Sequence, residues 1–165
     1  MPTSLTLRTA IFLIAVGFFS LGAAFGSQHL GGLQPCILCI YQRYPYGVVI
    51  ALGVLLALFS RHRALAVTIT VLAAVALFVD AGIAAFHVGV EQHWWEGTKA
   101  CESLIDPTLS VEDLAKALQE APVVACDKPA WTLFGISMAG YNFLYAATAG
   151  IIASILALRI LRSAR

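Results

Sequence analysis

Four apolar stretches dominate the chain: Thr9–Gly26, Tyr44–Phe59, Ala64–Phe86 and Tyr141–Leu161. Crossing a bilayer as a helix takes about 20 predominantly apolar residues, so each stretch predicts a membrane span. The second is short as written, and a helix beginning near Pro35 lengthens it, placing Arg43 at the water boundary. Only Ser60-Arg61-His62-Arg63 separates the second stretch from the third, which predicts a tight connection between antiparallel helices. Polar sequence is concentrated in residues 88–140, and one part of it has a pattern of its own. Ser110 reads as an N-cap with Asp113 three residues on, and Val111, Leu114, Ala115 and Leu118 recur opposite Glu112, Asp113, Lys116, Gln119 and Glu120. Pro122 ends that pattern. A short amphipathic helix at the membrane surface and an ordinary helix packed on loop residues both fit it. The expected fold is an all-α, four-transmembrane-helix bundle, a single membrane domain over 1–165 with outer loops at 27–42 and 88–140.

Composition sharpens this picture. Apolar residues make up 60% of the chain and charged ones 12%, with a mean hydropathy of +0.86. A soluble domain carries about a quarter charged residues, so this one has half the usual supply for a water-facing surface. The net charge of +1 conceals a segregation, because Arg8, Arg61, Arg63, Arg159, Arg162 and Arg165 flank apolar runs while all nine acids lie between Asp80 and Asp127. Cytoplasmic flanks are rich in Lys and Arg, so both termini and the Arg61–Arg63 turn are expected in the cytoplasm and the two loops outside. No basic stripe interleaved with aromatics is present, which leaves nucleic-acid binding without a footprint. The first run also has the layout of a signal peptide, with a basic residue, an apolar stretch and small residues at Gly22-Ala23-Ala24, although it is long for one.

All four cysteines fall in or beside the two outer loops, where an oxidising compartment permits disulfides. Cys36-Ile37-Leu38-Cys39 stands at a predicted helix start, with Pro35 suited to the first turn. Free backbone N–H groups and the helix dipole there favour a thiolate. Arg43, four residues after Cys39, adds a permanent positive charge one turn along. The residues therefore predict a reactive dithiol. A zinc half-site is the competing reading, but Cys101 and Cys126 do not form a second C-x-x-C. A structural staple is another, though so short a loop stabilises little. Cys101 and Cys126, 25 positions apart, read alone as a structural bridge; beside a second outward pair they could instead exchange bonds with it. His87, near the outer end of the third run, is either an interfacial residue or, with Arg43, a group that polarises a buried carbonyl. His93 beside Trp94 and Trp95 looks like part of an interface belt. Asp80, costly inside a span, either faces the bundle or sits hydrated near its outer end. Met138, just before the fourth run, has packing as its default role.

The segment Pro35-Cys36-Ile37-Leu38-Cys39-Ile40-Tyr41-Gln42-Arg43, the four spans and the Cys101 and Cys126 pair resemble the bacterial DsbB disulfide-bond formation proteins over nearly the whole chain. The resemblance implies a thiol:quinone oxidoreductase of the inner membrane. Such an enzyme reoxidises a DsbA-like periplasmic thiol oxidase and passes the electrons to ubiquinone or menaquinone. It implies that Cys101 forms the mixed disulfide with that partner, that Cys126 is its mate, that Cys36 exchanges with the loop pair and that Cys39 contacts the quinone. Arg43, His87 and Met138 match the family's quinone-side residues, with the spacing from His87 to Cys101 shifted by one. The loop between Cys101 and Cys126 departs from the family pattern. No metal is implied. A quinone reductase of the vitamin-K-epoxide-reductase type shares the four spans and a C-x-x-C but carries that motif near a later helix. A membrane scaffold with two structural bridges would show no thiol-dependent quinone chemistry.

Overall fold

The computed structural model describes residues 2–98, 101 and 124–163. Its elements are α1 (Pro2–His29), α2 (Ile37–Tyr41), α3 (Arg43–Leu58), α4 (Arg63–Glu91), a two-residue strand pair β1 (Thr132–Leu133) and β2 (Ile136–Ser137), and α5 (Met138–Arg162). Helices α2 and α3 are joined through Gln42, which keeps right-handed helical angles (φ −66°, ψ −16°). Together they make a 22-residue apolar helix over Ile37–Leu58, so four helices are long and apolar enough to cross a membrane. The expected all-α, four-helix membrane fold is the fold observed. The amphipathic helix expected from Ser110 lies outside the described residues.

Helix α4 packs most extensively on α5, and α1 on α3, with α3 against α4 joining the two pairs. Lipid offers no hydrophobic drive for helices to associate, so close approach of small side chains has to supply the packing. Accordingly Ala66, Ala73, Ala74 and Ala81 of α4 and Ala146, Ala149 and Ala153 of α5 are buried in one core with Leu13, Val49, Leu56 and Leu77. The outward faces carry Phe18, Phe19, Leu58, Val75, Val79, Ile151 and Leu158, all exposed, as expected of faces that meet lipid. Hydroxyls inside the spans bond back to their own helix, Thr9 to the Leu5 carbonyl (2.9 Å), Thr70 to Ala66 (2.7 Å) and Ser154 to Gly150 (2.8 Å). Without water in the hydrocarbon each such group needs a partner within the protein. At the basic end Arg63 donates to the Leu161 carbonyl, tying the start of α4 to the end of α5.

Two local features differ from the sequence reading. Pro35 is not in the first helical turn: Cys36 is the N-cap (φ −72°, ψ 169°) and Ile37 the first helical residue. The Cys36 sulfur takes the capping role itself, accepting the Cys39 backbone N–H at 3.3 Å. The outer loop also contains a β-hairpin, with Leu133 paired to Ile136 and Thr132 to Ser137. Phe134 (φ 50°) and Gly135 (φ 78°) both occupy left-handed space, which a two-residue primed turn demands; glycine enters it without strain. The hairpin delivers the chain to Ser137, whose hydroxyl caps α5 by accepting from the Gly140 N–H at 3.1 Å.

Candidate functional site

The two cysteine pairs meet at one end of the bundle. Cys36, Leu38, Val90, Cys101 and Cys126 form a buried cluster of their own, with Ile37, Cys39, Phe86 and Val124 packed against it. Cys101 and Cys126 are joined as a disulfide, their Cα atoms 5.3 Å apart. Cys36 and Cys39 are unbonded, with their sulfurs 2.8 Å apart. Cys36 is buried, whereas Cys39 is partly exposed. The hydrogen bond with the Cys39 sulfur, together with burial, holds the Cys36 thiol well above the ordinary cysteine range. Of the two sulfurs, Cys36 therefore keeps the shared proton and Cys39 is the one poised to react.

The remaining predicted residues take distinct places around this cluster. His87, buried in the last turns of α4, sets Nε2 3.5 Å from the Cys36 sulfur. The same nitrogen lies 3.8 Å from the Glu91 carboxylate. Arg43 opens α3 with its guanidinium 4.8 Å above the Phe25 ring, and it donates to Gln28 Oε1 at 2.8 Å. α1 thus holds the arginine through Phe25 and Gln28. Its Nε–H is buried without a partner, although a buried donor left unpaired costs about 1–3 kcal/mol. Met138 begins α5 half-buried, its N–H donating to the Trp131 carbonyl at 3.3 Å. It is not part of the sulfur cluster.

Asp80 faces the bundle and is fully buried, which decides between the two placements its sequence position allowed. Its Oδ2 accepts from Asn142 Nδ2 at 2.9 Å. That amide also donates to Gln42 Oε1 (2.8 Å), and Gln42 Nε2 lies 3.1 Å from His87 Nδ1. Tyr46 donates to Asn142 Oδ1 at 2.6 Å. The sequence reading assigned no role to Gln42, Asn142 or Glu91. The available signal was their polarity within or at the edge of apolar runs, where an amide or carboxylate is expensive unless satisfied. Trp95 stacks on Phe86 (5.9 Å, 12°) and donates to its carbonyl at 2.9 Å. It lies over Gly89, where a Cβ would overlap the indole.

Chemically, the arrangement can exchange disulfides between two adjacent pairs and offer N–H donors beside the inner pair. Cys36, Cys39 and His87 also place two sulfurs and a ring nitrogen within 4.8 Å of one another, a spacing that could hold a thiophilic metal ion. Four apolar helices carrying two sulfur pairs at one end define a membrane-embedded dithiol–disulfide protein. The family model for disulfide bond formation protein DsbB matches residues 7–156, and the chain belongs to that family. It is 31% identical to disulfide bond formation protein B of Methylobacillus flagellatus, over 91% of this chain and 92% of the relative. It is 30% identical to the protein of that name from Polaromonas naphthalenivorans, over 94% and 93%. An uncharacterized protein of Rickettsia prowazekii is 27% identical over 81% of this chain and 77% of its own length. No solved structure matches the chain. The protein is accordingly a multi-pass membrane oxidoreductase that forms disulfides.

Proposed function

We propose that this oxidoreductase reoxidises a periplasmic, DsbA-like thioredoxin-fold dithiol protein through Cys101 and Cys126, and passes the electrons by way of Cys36 and Cys39 to a membrane quinone. The observation that carries this reading is the packing of both sulfur pairs into one buried cluster, one pair bonded and the other free. A purely structural role gives no reason to bury a free dithiol against an existing bridge.

The exchange runs as a sequence of thiolate attacks. A partner thiolate attacks Cys101, and the electron pair of the Cys101–Cys126 bond leaves on Cys126. Cys126 attacks Cys36, and the Cys36–Cys39 bond breaks with its electron pair on Cys39. The partner's second thiolate then closes its own disulfide and frees Cys101. Cys101 attacks Cys126, restoring the loop pair and leaving Cys36 and Cys39 reduced. The partner has lost two electrons and the inner pair has gained them.

A quinone, ubiquinone or menaquinone, would supply a two-electron acceptor that diffuses in the lipid. The residues present suit such a group. The unpartnered Arg43 Nε–H is a buried donor in want of an acceptor such as a carbonyl oxygen, and His87, beside Cys36 from α4, would line the same site. Met138, at the start of α5, would pack an apolar, polarisable side chain against the ring. The basic flanks favour an orientation with both termini in the cytoplasm and the sulfurs on the outer side of the inner membrane.

Trapping tests the reading directly. With the partner's second cysteine replaced by Ala, its remaining thiolate should open the Cys101–Cys126 bond and stay joined to Cys101 as a mixed disulfide, visible on non-reducing gels. In the intact protein, adding reduced partner should bleach quinone absorbance. A one-cysteine partner that is not captured on Cys101, together with quinone absorbance indifferent to thiol, would defeat the proposal.

A further inference from the structure

Four polar side chains with no part in the exchange itself run in single file from the interior of the bundle to the sulfurs. Asp80 lies at the inner end, fully buried. A carboxyl, ionised or not, presents an acceptor oxygen, so the Asn142 group 2.9 Å from Asp80 Oδ2 is its NH2. The Tyr46 hydroxyl, donating to Asn142 Oδ1, holds the amide in that orientation from the other side. Asn142 spends its second N–H on Gln42 Oε1. Gln42 must then turn its own NH2 toward His87 Nδ1, 3.1 Å away. An imidazole nitrogen facing a donor carries no proton, so in the neutral ring the hydrogen resides on Nε2. Nε2 faces the Cys36 sulfur at 3.5 Å and the Glu91 carboxylate at 3.8 Å, and the ring also hydrogen-bonds the Cys126 backbone. With its sulfur accepting from Nε2–H, Cys36 directs its own S–H to Cys39, 2.8 Å away. From Asn142 onward every bond points toward the sulfurs, and such bonds polarise one another, while the bond from Asn142 to Asp80 points inward and anchors the amide.

We propose that Asp80, Asn142 and Gln42 are positioning residues that lock His87 in its Nε2–H tautomer and aim that N–H at the Cys36 sulfur. The inference rests on the exchange reading only for its consequence; the tautomer itself is a property of the folded chain. When the Cys36–Cys126 bond breaks during exchange its electron pair remains on Cys36, and the Nε2–H meets that charge with a hydrogen bond. No proton need leave the ring.

The test is 15N NMR of the full chain in lipid nanodiscs, reduced and labelled at histidine, with the His87 signals assigned by their loss in His87→Gln. The expected spectrum has a protonated Nε2 and a bare Nδ1. In Gln42→Met, which keeps the volume and removes the donor, the ring should become a mixture of tautomers. In the same variant alkylation of Cys36 should slow about tenfold, the worth of a hydrogen bond to an ionised group. Asp80→Asn keeps an acceptor oxygen and should retain both signatures, whereas Asp80→Leu should lose them. A proton on Nδ1 in the unaltered chain, or a tautomer indifferent to Gln42→Met, would overturn the relay. Should Asp80→Leu fail to assemble, the contrast between Gln42→Met and Asp80→Asn decides alone. An intact tautomer in a chain that oxidises no dithiol would support the relay while sinking the functional reading.

Discussion

At the basic end of the bundle, α4 and α5 meet on alanines, and Leu13, Val49, Leu56 and Leu77 fill what remains. At the sulfur end Asp80 and His87 of α4, Asn142 of α5 and Gln42, between α2 and α3, meet instead. The first region is held by close packing of groups that ask nothing of their neighbours but shape. The second is held by hydrogen bonds in which each donor has a designated acceptor, and it leaves loose ends. Arg43 Nε, Asp80 Oδ1 and Glu91 Oε2 are buried without partners there, while the apolar core holds no comparable orphan among the described residues. Unsatisfied polar atoms inside a membrane are costly. Their concentration beside the sulfurs marks where this protein gives up stability for chemistry, whereas the alanine-lined half supplies the rigidity that keeps the sulfurs in register.

Substitutions can break or sharpen that contrast. The largest effect belongs to Cys39→Ser, which should abolish turnover of dithiol into disulfide while leaving the helices assembled, as judged by activity beside circular dichroism. Arg43→Ala should slow quinone reduction by about 10²–10³, the usual cost of removing one preorganised donor. Partner binding, measured by trapping on Cys101, should stay the same. Leu77→Ala in the apolar half should act the other way, lowering stability by about 2–5 kcal/mol while the molecules that remain folded keep their rate. Unfolding in mixed detergent micelles would read this, and a lost rate at unchanged stability would erase the distinction between the two regions. Ser137→Ala removes the α5 cap and should cost about 1 kcal/mol.

The Cys36 thiol offers a finer measurement. Its range is raised first by the hydrogen bond with Cys39 and then by burial. Replacing Cys39 with Ala removes the first cause, so alkylation of Cys36 should begin at lower pH than in the intact reduced pair. An onset that moves upward, or not at all, would mean that burial alone governs this sulfur.

Much of the site was legible because its chemistry is local. Cys36, Cys39 and Arg43 lie within eight residues, and a C-x-x-C ahead of an apolar run announces a dithiol at a helix start whatever surrounds it. Asp80 was visible as an acid in a span, yet its direction was not, because a single residue does not reveal which helix face meets its neighbours. Asn142, 62 positions after Asp80 and 100 after Gln42, had no local signal to join it to either. The hairpin at Thr132–Ser137 escaped because its strands are two residues long, too short to show alternation. Pro35 was placed one step too far into the helix because a cysteine is not an expected cap, and only the observed bond from the Cys39 N–H to its sulfur reveals that role.

What the sequence determined alone is the number of spans, the crowding of acids and sulfurs toward two loops, and the reactive character of the first cysteine pair. These follow from hydropathy, charge and neighbours along the chain. What only the tertiary structure decided is company: that the loop disulfide lies against the helix-start dithiol, that His87 reaches Cys36 from α4, and that an aspartate in the third span connects to it through α5 and α3. Such relations depend on how helices rotate and stack, and that is fixed by the sum of many small packing contacts rather than by any one residue's identity.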